Sequence, residues 1–198
     1  MRILLISDHA DPLAEIGSKE AGGQNIYVFY MAKFLCRLGI LVDVYTRWDR
    51  KNKKEIVRFN NHLRVIRVEA GPKKYMPRDN FLDVVNEFAE NVLERIRKEK
   101  INYDIIHTNY WFSGLIGLKV AKEIKKPLVH IYHSIGQVRF ESLKNYKLQE
   151  INNEFFKQRT ISEKEIAQKA DRIIATSPVE KEIIKNLFGI REEKIKTI

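Results

Sequence analysis

The chain has 198 residues, of which 44% are hydrophobic, so it can bury a substantial core and is not expected to be disordered. Its one cysteine, Cys36, excludes an intramolecular disulfide and any metal site built from several cysteines. The net charge of +10 favours acidic partners such as phosphates, anionic lipids or nucleic acid without choosing among them, because lysines scattered over predicted helix faces supply much of the excess.

The first 45 residues predict a strand, a long loop, a helix and a second strand. Branched apolar residues at 2–7 indicate a buried, parallel strand, and a polar loop follows from Asp8. Apolar residues then recur at spacings of three and four between Gln24 and Leu38, which is one face of a helix that Gly39 is placed to end. A strand at 41–45 completes a right-handed βαβ unit.

The remaining elements alternate in the same way. We predict two short strands within 55–69, a helix at 79–98, a strand at 104–107, a helix at 111–124, a strand at 128–132, a loop at 133–146, a helix ending at 170, a strand at 172–176, a helix from 178 to 189 and a strand at 194–198. This alternation predicts the α/β class: a Rossmann-like, mostly parallel sheet with helices on both faces, forming a single domain over 1–198. Because the last predicted strand reaches the final residue, we expect the polypeptide to continue.

The stretch Gly22-Gly23-Gln24-Asn25 stands between the first loop and the first helix. Two glycines let a ligand approach the backbone closely, and a helix that begins at Gln24 points unpaired N–H groups and its positive dipole end at that ligand. This is the outline of an anion site. The alternative is that the glycines only form a turn and cap the helix.

Polar, aromatic and basic residues follow most of the predicted parallel strands. They are Asp8 and His9 after the first strand, Arg47 after the second, residues 107–114 and 133–139 after two later strands, and Ser177 and Glu180 after the strand at 172–176. Carboxyl ends of parallel strands meet at one edge of the sheet, where ligands bind in this architecture. We therefore expect these loops to form one ligand-binding rim.

Four segments in register with the predicted strands carry a family resemblance. The segments are 22–24, 107–114, 133–136 and 159–165, the last one preceding Ala-Asp-Arg-Ile-Ile-Ala-Thr-Ser at 170–177. Together they resemble retaining glycosyltransferases of family 4, and within that family the sucrose-phosphate synthases and the glycosyltransferases of the mycothiol pathway. The resemblance covers nearly all of the chain in order.

The resemblance implies the N-terminal, acceptor-binding half of a GT-B fold, in which the active site lies in a cleft between two Rossmann-like domains. The C-terminal, donor-binding domain is expected to be absent from this chain, so that the domain alone is expected to be inactive. The implied whole enzyme transfers a hexose from a nucleotide diphosphate sugar to a hydroxyl of a sugar, sugar phosphate or cyclitol phosphate. The nucleotide sugar is a co-substrate, and no cofactor is implied.

By the same resemblance, the glycine loop of Gly22, Gly23 and Gln24, with Asn25 beside it, contacts the donor diphosphate and the acceptor. Tyr110 matches an aromatic residue that lines the acceptor site. Trp111 and Ser113, in the same segment, are expected to pack that loop from within.

His133 matches a histidine that lies near the transferred sugar, where we expect it to position the sugar and to stabilise charge on the leaving diphosphate. Its alternative role is to cap the end of a strand. Ser134 follows it in the implied acceptor site. Arg78 and Arg139 stand where close relatives carry lysine, and these two with Arg159 are candidates to clamp an anionic acceptor group. A solvated surface position is the alternative for each arginine.

The same residues bear on other classes of site and partner. No metal site is predicted, because His9 lacks further ligands at suitable spacing, and His107 and His130 are interpreted as satisfied core residues. A dinucleotide cofactor is not expected, since the loop after the first strand is long and lacks G-x-G-x-x-G. Nucleic acid is not expected as a partner, since no recognised binding motif is present.

A membrane is the second kind of partner considered. The alternative function is a non-catalytic basic module that binds anionic lipid headgroups, or a glycosyltransferase that acts on a lipid-linked acceptor at the membrane surface. The mixture of basic and aromatic residues at 144–157 is the basis for this peripheral contact. No apolar run approaches the roughly 18 residues of a spanning helix, and we expect a soluble protein of the cytoplasm.

Overall fold

The computed structural model of the chain describes residues 1–15, 17, 22–146 and 152–198, with the side chains of 78 and 79 outside the description. Its strands are β1 (Arg2–Ile6), β2 (Leu41–Arg47), β3 (Ile56–Arg58), β4 (Leu63–Val68), β5 (Ile105–Asn109), β6 (Leu128–Ile131), β7 (Arg172–Ala175) and β8 (Ile195–Thr197). Its α-helices are α1 (Gly23–Arg37), α2 (Val85–Glu99), α3 (Trp111–Ile124), α4 (Gly136–Tyr146), α5 (Asn153–Lys169) and α6 (Pro178–Phe188). Short 3-10 helices span Arg78–Val84 and Glu192–Lys194.

The strands form one sheet in the order β3-β4-β2-β1-β5-β6-β7-β8, in which every neighbouring pair is parallel except β3 with β4. The central strands are buried on both faces, as continuous apolar runs such as residues 3–6 require. The mostly parallel α/β sheet predicted from the alternation is confirmed.

The core lies in two layers, one on each face of the sheet. Helix α1 covers one face through Val28 and Ala32, which pack on apolar residues of β1, β2 and β4. Helices α2, α3, α5 and α6 supply the larger layer on the other face. This arrangement leaves the carboxyl ends of the strands free of helix backbone, so the loops there can carry a site.

Two elements differ from the sequence-based prediction. The predicted loop at 133–146 contains α4, which the pattern did not indicate because its side chains pack mainly on α5 and show little amphipathic periodicity. The helix predicted from residue 79 begins as a 3-10 helix, and its α-helical part starts only at Val85.

Helix α3 crosses the sheet so closely that Gly117 has no room for a side chain. A Cβ at this position would meet Thr108 Cγ2 of β5 and would lie 3.0 Å from Leu128 Cδ1 of β6. We expect Gly117→Ala to lower the free energy of unfolding by up to about 2 kcal/mol, because the gain in helix propensity of about 1 kcal/mol offsets only part of the overpacking cost of about 1–3 kcal/mol.

The matched control for Gly117→Ala is Gly23→Ala, where a Cβ would meet nothing within 4 Å. Urea denaturation followed by circular dichroism measures both variants. Equal stability of Gly117→Ala and the unsubstituted chain would show that α3 can move away from the sheet.

Candidate functional site

The loops that follow β1, β5 and β6 lie side by side at the carboxyl edge of the sheet. The strands β1 and β5 pair Ile6 with Thr108, and β5 and β6 pair Asn109 with Ile131, so the three strands end at nearly the same level. The backbone N–H of Tyr110 continues the ladder by donating to Ile131 O at 2.9 Å. The side chains just beyond these ends are therefore brought together by strand register.

The diglycine bend faces open space at the start of α1. Gly22 is the N-cap and Gly23 the first helical residue, both are exposed, and no acidic residue lies in the first turn. The helix therefore presents the positive end of its dipole without an internal counterion. Asn25, in contrast, is 5% exposed and is used within the loop: Oδ1 accepts from Gly22 N at 3.0 Å, and Nδ2 donates to Asp11 O at 2.8 Å.

Gln24 connects this bend to the central strands. Its Nε2 donates to Ser7 Oγ at 3.3 Å and to the backbone oxygen of Asn109 at 3.4 Å. Asn109 in turn contacts His133, whose Nε2 lies 2.9 Å from Asn109 Oδ1. A chain of hydrogen bonds thus joins the start of α1 to the end of β6.

His133 is half-buried in an unusual backbone conformation, with φ of 58°. Its ring packs edge-on against the Tyr27 ring, with centroids 4.8 Å apart. Burial, and next the nearby His9, lower the pKa of the His133 imidazole to about 4. The ring is therefore neutral at pH 7, which suits hydrogen bonding to a ligand rather than a standing positive charge.

Tyr110 lies beneath the rim, between His9 and Arg159. It is 4% exposed and has a positive φ of 75° at the N-cap of α3. The His9 ring lies 4.7 Å from the Tyr110 ring, and the guanidinium carbon of Arg159 lies 4.9 Å from that ring. These contacts join the loops after β1 and β5 to α5 through one aromatic group.

Arg159 and Glu163 form a buried ion pair one turn apart on α5. Arg159 is 1% and Glu163 0% exposed, and Nε lies 2.7 Å from Oε1. Arg159 Nη2 also donates to Ser134 O at 2.6 Å, and the Glu163 carboxylate accepts from Gly136 N at 2.9 Å. Burial raises the pKa of Glu163, while Arg159 opposes that shift. The pair holds the backbone between His133 and α4.

The other candidates differ in their placement. Arg139 is exposed on the first turn of α4 and can reach solvent at the rim. The side chain of Arg78 lies outside the described residues. Trp111 is fully buried in the core, and Ser113 Oγ accepts from Asp8 N at 3.0 Å and donates to the Asp8 carboxylate, so both pack the loop as expected.

A cavity of about 510 Å³ adjoins the rim on the β2 side, beneath Asp8 and His9. The basic residues that line it are already engaged: Arg67 bonds Asp11 Oδ2 at 3.0 Å, and Arg47 donates to backbone oxygens of residues 70, 72 and 74. These contacts fix the walls of the cavity. The floor of the cavity is formed at the carboxyl end of β1, by Asp8 and His9.

In the described part of the chain, no group of three or more His, Cys, Asp or Glu side chains is placed to hold a metal ion. No helix among the same residues is both long and apolar enough to span a membrane.

His107 and His130 are buried in the sheet, but the expectation that both are satisfied was wrong. Among the described residues, the Nε2 atom of each lacks a hydrogen-bond partner, although His130 Nδ1 lies 2.8 Å from Thr108 Oγ1.

Two residues within the predicted segments 107–114 and 159–165 have roles that the sequence did not assign, Asn109 and Glu163. For Asn109, an amide next to an aromatic pair at a carboxyl end is a signal for a polar contact. Glu163 lies four residues after Arg159 on a predicted helix, and that spacing places the two side chains on one face. Neither signal shows which residue on another strand or loop is bonded to Asn109 or to Glu163.

Comparison with known proteins places the fold and rim in a family. The model for Glycosyltransferase Family 4 matches residues 21–198. D-inositol 3-phosphate glycosyltransferase of Corynebacterium glutamicum (strain R) is 31% identical over 198 residues, which is all of this chain and 46% of that protein. Mannosylfructose-phosphate synthase of Agrobacterium fabrum (strain C58) is 32% identical over 203 residues, covering all of this chain and 44% of that protein.

Among solved structures, sucrose-phosphate synthase from Thermosynechococcus elongatus superposes with a TM-score of 0.87 at 33% identity, covering all of this chain and 47% of that one. The chain thus spans less than half the length of these relatives. The match nevertheless includes every element of the rim, from the diglycine bend to the Arg159–Glu163 pair. The chain belongs to glycosyltransferase family 4, and its fold is that of one half of a GT-B enzyme.

Proposed function

We propose that residues 1–198 form the acceptor-binding domain of a retaining glycosyltransferase that moves a hexose from a nucleotide diphosphate sugar to a hydroxyl of a sugar phosphate or cyclitol phosphate. The observation that carries the proposal is the convergence of Gln24 and His133, both bonded to Asn109, beside the open N-terminus of α1. The names of the relatives support the acceptor class, since each concerns a phosphorylated polyol or sugar.

Each part of the rim has a role in this reaction. The acceptor oxygen bonds to the anomeric carbon of the donor as the bond from that carbon to the diphosphate breaks, and the proton of the acceptor hydroxyl passes to the departing diphosphate. Negative charge develops on the diphosphate, where the N–H group of Gly23 and the helix dipole stabilise it. His133, neutral at pH 7, positions a hydroxyl group. The exposed Arg139 supplies a cation for the acceptor phosphate.

The donor nucleotide requires a second domain across the cleft, and we propose that the whole protein supplies it, as the length of the relatives suggests. The proposed site of action is the cytoplasm. Peripheral membrane contact through 144–157 stays a prediction with less support, because Phe155 packs on Trp111 and Phe156 on Phe140 instead of facing solvent. The comparisons do not favour a non-catalytic lipid-binding module.

The proposal predicts that the isolated domain prefers phosphorylated acceptors. We expect inositol 3-phosphate or fructose 6-phosphate to bind at least about tenfold more tightly than inositol or fructose, since a charge-assisted contact contributes about 1.5–3 kcal/mol. Isothermal titration calorimetry at low ionic strength measures both pairs, with inorganic phosphate as a third ligand.

Arginine variants locate the phosphate. Arg139→Glu is expected to remove most of the preference for the phosphorylated ligand. The control, Arg191→Glu, changes an exposed arginine that precedes β8 at the opposite edge of the sheet, and it is expected to leave affinity within about twofold. Equal affinity for phosphorylated and free ligands, or an equal effect of both variants, would contradict the proposed acceptor class.

A further inference from the structure

Asn109 joins several elements of the rim through its side chain and its backbone oxygen. It is the last residue of β5 and is fully buried. Its Nδ2 donates to Ile6 O at 3.2 Å, its Oδ1 lies 2.9 Å from His133 Nε2, and its backbone oxygen accepts from Gln24. Asn109 therefore connects β1, the loop after β6 and α1.

These contacts determine which ring nitrogen of His133 carries the proton. The backbone oxygen of Ile6 can only accept a hydrogen bond, so the amide nitrogen of Asn109 must face it. The amide oxygen then faces His133, and because an amide oxygen also only accepts, His133 Nε2 must be the donor. A neutral imidazole has a single N–H, so Nδ1 is left as a bare acceptor.

We propose that Asn109 is a positioning residue that holds His133 in the Nε2-protonated tautomer, so that Nδ1 is offered to a hydroxyl group of the substrate. Among the described residues, Nε2 of His133 is bonded to Asn109, no partner is found for Nδ1, and Nδ1 is not one of the buried unpaired atoms. Nδ1 is therefore accessible to a ligand.

The tautomer has a consequence for substrate recognition. A bare ring nitrogen attracts a hydroxyl donor and repels the lone pairs of a phosphate oxygen. His133 thus selects a hydroxyl-bearing carbon of the hexose or acceptor, and the phosphate is directed to the arginine side of the rim. This last step rests on the proposed function, whereas the tautomer itself does not.

The charged and titratable groups around His133 come from several elements. His9 approaches from the loop after β1, Tyr27 from α1, His107 from β5 and His130 from β6. Asp8 contacts His9 at 3.4 Å. Burial and His9 keep the His133 ring neutral, and its contact with Asn109 then sets which ring nitrogen carries the proton.

The test uses the isolated 15N-labelled domain without any substrate. Long-range 1H–15N spectra of the imidazole rings distinguish a protonated from a bare ring nitrogen, and His133→Gln assigns the His133 signals. We expect Nε2–H and bare Nδ1 in the unsubstituted chain. Asn109→Ala is expected to shift both nitrogens toward a mixture of tautomers.

Asn109→Asp provides the second measurement, since a carboxylate beside Nε2 favours the imidazolium. The protonation midpoint of His133 is expected to rise by about one pH unit or more. Asn86→Asp, the same change at an exposed position of α2, is the control and is expected to leave the midpoint unchanged. Circular dichroism reports folding, and if Asn109→Asp does not fold, Asn109→Ala decides.

A bare Nε2 in the unsubstituted chain would overturn the proposal, and so would an unchanged tautomer in Asn109→Ala. Failure of sugar phosphates to bind would instead contradict the proposed function and leave the tautomer intact. When a binding sugar phosphate is added, the Nδ1 resonance is expected to move more than that of Nε2. The reverse order would contradict the recognition of a hydroxyl by Nδ1.

Discussion

Replacing Arg159 by methionine is expected to lower the free energy of unfolding by about 3–5 kcal/mol, the usual cost of removing one partner from a buried ion pair. Both members of the pair are almost inaccessible to solvent, so Glu163 would be left as a buried carboxylate with only the Gly136 N–H as a described partner. Ser134 would lose its contact with the guanidinium, and the loop that carries His133 would lose its support.

The loss in Arg159→Met depends on pH in a defined direction. Burial already raises the pKa of Glu163, and removal of Arg159 raises it further. For an acid whose pKa is raised by folding, stability is greatest below the unfolded pKa and falls as pH rises through the folded pKa. The variant is therefore expected to be relatively more stable near pH 4.5 than at pH 8.

A second substitution separates loss of the pair from loss of the arginine alone. Arg159→Met combined with Glu163→Gln removes the buried charge while keeping an oxygen for Gly136 N, and it is expected to be more stable than Arg159→Met alone. Lys169→Met breaks the exposed pair with Glu165 on the same helix and is expected to change stability by less than about 0.5 kcal/mol. Denaturant midpoints that rank Lys169→Met with Arg159→Met would contradict the argument.

The fold was predictable from the sequence because each central strand is short, apolar and flanked by turn residues, while each long helix carries a separate apolar face. Helix α4 shows where this reasoning stops. It packs on α5 at the surface, and Val138 is 41% exposed, so its residues need not alternate in polarity. Whether a helix forms at this position is decided by tertiary contacts, and the periodicity of the sequence carries no information about them.

The rim was predictable as a set of loops, since parallel strands end together. Which side chains of these loops face a ligand was harder to predict from the sequence. Asn25 and Arg159 were grouped with the binding residues because of their types and positions, but both are bonded within the protein through partners far along the chain. The role of Asn109, which lies in the predicted rim segment 107–114, does not follow from the sequence, because its partners Ile6 and His133 come from β1 and from the loop after β6. The contacts between strands, and between the loops that follow them, must be known before such roles can be assigned.

Acid is expected to destabilise the domain well before its carboxylates are protonated. Burial lowers the pKa of His107 to about 4, it lowers that of His130 well below the ordinary value, and His133 also lies at about 4. A histidine whose pKa is lowered by folding contributes stability above its unfolded pKa of about 6.5, and this contribution is lost as pH falls toward the folded pKa, because the unfolded chain binds the proton first.

The size of this effect follows from the proton difference. Between pH 6.5 and 5, each such histidine is expected to lower the free energy of unfolding by up to about 2 kcal/mol, at about 1.4 kcal/mol per pH unit. Glu163 acts in the opposite direction, because its raised pKa makes the folded state bind a proton first as pH falls. Asp43 and Glu99 have lowered pKa values, so their stabilising contribution is lost only in more acidic solution.

Urea denaturation at pH 5, 6 and 7 gives the number of protons taken up on unfolding from the slope of stability with pH. His107→Leu fills a fully enclosed position with a group that does not titrate, so we expect the slope to decrease by up to one proton. His62→Gln removes an exposed histidine and is the control, with no expected change. A slope near zero in the unsubstituted chain would mean that the folded and unfolded chains bind equal numbers of protons in this range. It would contradict the lowered pKa values of the buried rings, and with them the argument that burial keeps His133 neutral in mild acid.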